Sequence, residues 1–119
     1  MNEVSRYLLG LYRAEREQSP PISSGHVADR MDRSPAATTE MFQRLEENDL
    51  VTYEPYEGAT LTEEGRHRAE EVHDSFVTLS RFFRDVLDVE DHEQEAIRVA
   101  GSVSPTVTER LAATLLSDD

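Results

Sequence analysis

A chain of 119 residues is long enough for one domain with a real core, or for a small domain with an extension. It carries 25 acidic residues against 12 basic ones, all arginine, for a formal charge of −13, and it has no cysteine. Disulfides, thiolate metal sites and thiol redox sensing are therefore excluded.

The sequence opens without a basic stretch leading into an apolar run, and no apolar run is long enough for a bilayer. A soluble, cytoplasmic protein with no membrane partner is expected. A charge of this size on a small domain repels both itself and nucleic acid in dilute buffer. A disordered acidic chain is one explanation, opposed by the apolar periodicity described below. The other is a high-salt cytoplasm, as in a halophilic archaeon, where the Debye length is about 3 Å at 1 M. Arginine kept while lysine is absent fits the second, although a GC-rich genome pushes the same way.

Val4, Tyr7, Leu8, Leu11 and Tyr12 recur at helical spacing. They predict an amphipathic helix from about Asn2 to Gln18, capped by Asn2 or Ser5 and stopped at Ser19-Pro20-Pro21. A short helix over roughly Ser24–Met31 follows, with Val27, Ala28 and Met31 inward. Asp32-Arg33-Ser34 reads as a tight turn. Ser34 is then the N-cap and Pro35 the first residue of a helix running to about Asn48. Two short helices joined in this way form a helix-turn-helix. On the second, Thr38, Met41, Phe42 and Leu45 make an apolar stripe. Ser34, Pro35, Ala36, Thr39, Glu40 and Gln43 make the opposite face, with Arg44 at its edge. Such a small, hydroxylic, amide-bearing face can enter a DNA groove, which makes this a candidate recognition helix. Taken alone, an ordinary amphipathic surface helix is the more economical account, and only the flanking elements reverse that balance.

Val51 and Tyr53, with a return through Thr60 and Leu61 around Glu57-Gly58, predict a hairpin that Pro55 confines to an edge or tip. Placed after a helix-turn-helix, it is a wing, with Tyr53, Pro55, Tyr56, Glu57 and Gly58 as candidate contact residues. Thr62 caps a long helix with Glu63 and Glu64 in its first turn. Ala69, Val72, Phe76, Leu79, Phe83 and Val86 form an a/d seam on it, widened by Phe82 and Leu87. Part of this seam can pack within the chain. Its length on so small a chain nevertheless points to a second copy, which makes Val72, Phe76, Leu79, Phe82, Phe83 and Val86 candidate dimer contacts. Residues 88–91 break the helix, and a helix resumes over Glu95–Val103 with Ile97, Ala100 and Val103 inward. Ser104-Pro105 starts a last helix carrying Val107, Leu111 and Leu115. The expected fold is mainly α with a small β-hairpin wing. Residues 1–65 would be a winged helix-turn-helix DNA-binding domain and residues 66–119 a helical dimerisation region.

Three stretches now resemble one family: Ser34-Pro35-Ala36-Ala37-Thr38-Thr39-Glu40-Met41-Phe42-Gln43-Arg44-Leu45, Tyr53-Glu54-Pro55-Tyr56-Glu57-Gly58 and Leu61-Thr62-Glu63-Glu64-Gly65-Arg66. They are similar to the DtxR/MntR (SirR-type) metal-dependent transcriptional repressors, and the similarity covers nearly the whole chain. The L-T-x-x-G helix start also recurs in MarR- and PadR-like winged-helix regulators. The resemblance implies a homodimer reading a palindromic promoter element in double-stranded DNA, one recognition helix per half-site. It also implies a regulatory metal held by the first helix, the long helix and the helix after the break. Those ligand positions fall here on Arg6 and Leu9, near Phe76 or Val77, and on Ile97, Ala100 and Gly101. Arginine and apolar side chains cannot hold Mn²⁺, Fe²⁺ or Zn²⁺, so no transition-metal cofactor is expected. Glu70 and His73, with His67 below them, could form a relocated site, and His92 and Glu95 a second pair. A solvated helix face accounts for these residues more simply.

No GxGxxG, P-loop or cysteine nucleophile is present and nothing marks a pocket, so neither an enzyme nor a catalytic residue is expected. His26, Arg30 and Arg33 near the turn are candidate phosphate contacts, and Arg66 is a further cation. Glu40, Glu54 and Glu57 would repel phosphate unless K⁺ or other salt cations lie between. Gln43 can pair with adenine and the Ala36 methyl can meet thymine, which suggests an AT-containing half-site. Two functional classes remain. One is a dimeric sequence-specific regulator whose signal is not the family metal, with stress or ionic strength as candidates; oxidation would have to act through Met31 or Met41. The other is an acidic winged-helix module that binds protein or mimics DNA.

Overall fold

The computed structural model describes residues 2–114, which form six α-helices, a two-stranded antiparallel hairpin and a short 3-10 turn. Helix α1 is Glu3–Glu17, α2 is Ser24–Met31 and α3 is Pro35–Glu47. The hairpin pairs β1 (Val51–Glu54) with β2 (Gly58–Leu61), and α4 is Glu63–Asp85. Helix α5 (His92–Val99) leads into the 3-10 turn Ala100–Ser102, and α6 is Pro105–Thr114. This is the predicted mainly helical fold with a hairpin wing. Residue contacts divide the chain into two compact units, residues 7–70 and residues 1–6 with 71–119.

The helix boundaries follow from side chains that satisfy the amides a helix start leaves unpaired. Asn2 Oδ1 accepts the Ser5 N–H at 2.8 Å, so Asn2 rather than Ser5 caps α1. Ser23 Oγ accepts the His26 N–H at 3.1 Å, and Asp32, left-handed at φ 57°, ends α2 and turns the chain toward α3. Ser34 Oγ accepts the Ala37 N–H at 3.1 Å with Pro35 in the first turn, as the sequence predicts. Thr62 Oγ1 accepts the Gly65 N–H at 3.0 Å and donates to the Asp49 carbonyl at 2.7 Å, fixing both the start of α4 and the end of the preceding turn.

In the unit of residues 7–70 the core is built from Tyr7, Leu8 and Leu11 of α1, Val27 of α2, Phe42 and Leu45 of α3, and Ile22, Leu50 and Val51. The helical ones are positions that period 3.6 assigns to the inner faces of the three helices, and Ile22, Leu50 and Val51 join them from outside the helices. In the other unit Phe76 and Leu79 of α4 are buried with Ala96 and Ala100, and Phe83, Ile97, Val99, Val103 and Leu111 pack against them.

That cluster takes up part of the apolar seam expected along the long helix. Phe76 and Leu79 bury their side chains inside the chain, because α5 and the 3-10 turn supply the apolar partner that an amphipathic face requires. Val72, Phe82 and Phe83 are half-buried, while Val86 and Leu87, past the end of α4, are exposed. Helix α5 starts at His92, three residues before the expected start at Glu95, and gives way to the 3-10 turn at Ala100. On α6 Leu111 packs against the cluster and Thr108 is buried, its hydroxyl bonding the Pro105 carbonyl at 3.1 Å, whereas Val107 is 49% exposed. Leu115 lies outside the described residues.

Candidate nucleic-acid interface

Helix α3 is held from beneath. Met41, Phe42 and Leu45 are buried, and Thr38 is fully buried although it is polar. Its hydroxyl donates to the Ser34 carbonyl at 3.1 Å and lies 3.3 Å from the hydroxyl of Tyr7, itself buried, so both groups are satisfied where water cannot reach. With that stripe inward, Ser34, Pro35, Ala36, Glu40, Gln43 and Arg44 are all exposed and Thr39 is half-exposed. The residues picked from the sequence as a reading face therefore share one solvent-facing side of one helix.

The hairpin turns at residues 55–57, where the Glu57 N–H reaches the Glu54 carbonyl at 3.0 Å. Tyr56 sits at this tip with φ 68° and its side chain wholly exposed, and Pro55 and Glu57 are exposed beside it. Tyr53 is placed differently. It is half-buried with its ring 5.9 Å from that of Phe42, so it packs the wing onto α3. Gly58 is buried at φ 132°, and a Cβ there would lie 2.1 Å from the Ile22 carbonyl oxygen. Its role is to let the chain before α2 run against the hairpin.

That approach adds a partial third strand. Ile22 and Ala59 exchange both backbone hydrogen bonds, at 2.8 and 3.0 Å. Ala59 stands opposite Tyr53, and Leu61 opposite Val51. Because Ala59 directs both its polar groups at Ile22, the N–H of Tyr53 must point away from β2, following the alternation of antiparallel pairs. A carboxylate of α3 meets it: Glu46 Oε2 accepts the Tyr53 N–H at 3.0 Å. On the other edge Glu15 Oε2 of α1 accepts the Leu61 N–H at 2.8 Å, while its Oε1 takes Arg66 of α4 at 3.0 Å. The Glu15 side chain is only 8% exposed. Sequence periodicity missed both acids, since a carboxylate that binds a backbone amide far along the chain leaves no pattern in residue type.

The basic residues are less available than their positions suggested. Arg30 is paired with Glu17, and Arg66 with Glu15. Arg33 Nη1 donates to the Met31 and Asp32 carbonyls at 3.2 and 3.4 Å and helps to hold the turn. His26 is half-buried with Nε2 3.1 Å from Gln18 Nε2. Arg44 remains on the exposed edge of α3.

The side chains at the positions where the family resemblance would place a metal do not suit one. Leu9 is 4% exposed, Phe76 6% and Ala100 1%, all as core apolar groups, and Ile97 packs against the same cluster as Phe76 and Ala100. Carboxylate and imidazole are the donors a divalent transition ion requires, and none stands there. Among the described residues no group of three or more histidine, aspartate or glutamate side chains is placed to hold a metal ion. His92 instead bonds Ser80, Nδ1 to Oγ at 2.8 Å, and His73 Nδ1 lies 3.8 Å from Asp74 Oδ1, while Glu70 is exposed. No helix among the described residues is long and apolar enough to cross a membrane.

Residues 1–59 match the family model described as the iron dependent repressor, N-terminal DNA binding domain. An uncharacterized HTH-type transcriptional regulator of Methanocaldococcus jannaschii is 31% identical over 110 residues, covering 91% of this chain and 88% of the relative. Among solved structures, the manganese regulator SloR superposes with a TM-score of 0.82 at 25% identity, over 98% of this chain and 54% of that one. A manganese-dependent transcriptional repressor in complex with manganese gives a TM-score of 0.84 at 24% identity, over 94% of this chain and 52% of its own. The chain thus spans about half the length of these manganese regulators. These relatives are transcription regulators, not enzymes. On this agreement of sequence, family model and fold, the chain belongs to the DtxR/MntR family of winged-helix transcriptional regulators.

Proposed function

We propose that the protein is a homodimeric, sequence-specific regulator of a high-salt cytoplasm that reads a palindromic promoter element without the family's metal. In this reading residues 1–65 bind DNA and residues 66–119 carry the dimer contacts. The observation that carries it is the outer face of α3, where Ser34, Ala36, Gln43 and Arg44 stand exposed above a fully buried stripe, next in sequence to a wing with Tyr56 bare at its tip. Gln43 and Arg44 supply base and phosphate contacts, and Tyr56 lies against the sugar-phosphate backbone.

The test is a mobility-shift assay in molar KCl with DNA from upstream of the protein's own coding region. Gln43→Ala is expected to weaken specific binding by about 1–3 kcal/mol and to relax base preference at one position of each half-site. Unchanged affinity and preference would remove Gln43 from the reading set. Independence from the metal is checked separately: a chelator followed by added Mn²⁺ or Fe²⁺ is expected to leave the shift unaltered. The signal would then lie elsewhere, with stress or ionic strength as candidates.

A second reading, a module that binds basic protein or mimics DNA, is favoured by the exposed Glu40, Glu54 and Glu57 and by the pairing of Arg30 with Glu17. It expects no shift with any promoter fragment at any salt concentration.

A further inference from the structure

We propose that Glu15 and Glu46 are positioning residues that clamp the wing from both edges and so set its tip relative to the reading face of α3. This rests on the proposed role of the wing in DNA binding.

Three features carry it. First, the two carboxylates meet equivalent groups: the outward N–H of Tyr53 on β1 and the outward N–H of Leu61 on β2, at 3.0 and 2.8 Å. Hydrogen bonds with an ionised acceptor are the stronger kind, and a two-stranded hairpin by itself is marginal in water. Second, each acid comes from a different helix. Glu46 belongs to α3, the helix that reads, and Glu15 to α1, the helix whose Tyr7 holds Thr38 of α3. The wing is thereby referred to α3 twice, once directly and once through α1. Third, Glu15 is 8% exposed and also receives Arg66 at the start of α4, so its carboxylate joins α1, β2 and α4 at one point. Glu46 is itself exposed and Glu15 is not, yet the carboxylate of each accepts a backbone amide of the wing.

The experiment compares Glu46→Ala with Glu46→Gln. Both remove the same charge from a face near DNA, while only glutamine keeps an acceptor for the Tyr53 N–H. The Tyr53 amide is expected to exchange with solvent faster in the alanine variant than in the glutamine variant. Affinity for promoter DNA in molar KCl is expected to fall about tenfold in Glu46→Ala and to be largely restored in Glu46→Gln. The same comparison at Glu15, read at the Leu61 amide, gives an independent second arm should one variant be poorly folded. Equal amide exchange in the alanine and glutamine variants at both sites overturns the clamp. Altered exchange with equal DNA affinity overturns its positioning role. A native chain that binds no DNA at all refutes the parent reading instead, and the exchange comparison is scored without DNA.

Discussion

Gly65 shows how much one residue can fix. A Cβ at this position would lie 1.9 Å from the Leu50 carbonyl oxygen, so only glycine lets α4 begin against the residue that precedes β1. Gly65→Ala is expected to cost about 1–3 kcal/mol, seen as an earlier midpoint in denaturant, because a rigid backbone atom and not a flexible side chain must yield. The L-T-x-x-G stretch was recognisable in the sequence as a helix start, and Thr62 performs the capping its type announces. What residue type could not reveal is that the glycine serves a contact fifteen positions away along the chain. Thr38 is the opposite case. Its place on the apolar stripe was legible from spacing, yet the buried hydroxyl pair with Tyr7 that justifies a threonine there was not.

At the scale of elements, local periodicity and capping located α1 to α4 and the hairpin to within a few residues, since those signals are written in neighbouring positions. The destination of the long helix's apolar face was harder to read, because an a/d spacing looks the same whether its partner is a second chain or a helix of the same one. Phe76 and Leu79 went inward to Ala96 and Ala100. Phe76→Ala is therefore expected to destabilise the monomer fold by about 3–5 kcal/mol. Leu87→Ser, at a 53% exposed residue past the end of α4, is expected to leave stability within about 0.5 kcal/mol. If the dimer uses this edge, Leu87→Ser shifts sedimentation toward the monomer at micromolar concentration while Phe76→Ala loses cooperative unfolding. The opposite pattern would return the seam to the dimer. The reading face of α3 was legible for the same reason as its stripe, whereas the engagement of Arg30 and Arg33 was not, since each is held by partners that spacing does not single out.

At the scale of the whole molecule the governing quantity is the charge. With 25 acids against 12 arginines, self-repulsion in dilute buffer is large. Salt at about 1 M shortens its reach to roughly 3 Å. Thermal unfolding is expected to move to lower temperature as KCl is removed from several molar to tens of millimolar. DNA affinity is expected to change little, or to rise, between about 0.5 and 3 M KCl, against the steep loss usual for proteins that bind DNA through many phosphate contacts. A protein equally stable at both salt extremes, or a steep ordinary decline in binding, would remove high-salt adaptation from the proposal. The charge was plain in the sequence; which few charges are committed to the fold required the hydrogen bonds of Glu15 and Glu46 to see.

The bonds at the two sides of the hairpin have one more consequence. A short sheet normally presents a rim of unsatisfied amides to which any extended peptide can add, the first step toward aggregation. Here Ile22 occupies β2 at Ala59, Glu15 occupies it at Leu61, and Glu46 occupies β1 at Tyr53. The rim that a foreign strand could extend is thereby interrupted on both edges of the hairpin, which lowers the tendency of the wing to recruit its neighbours.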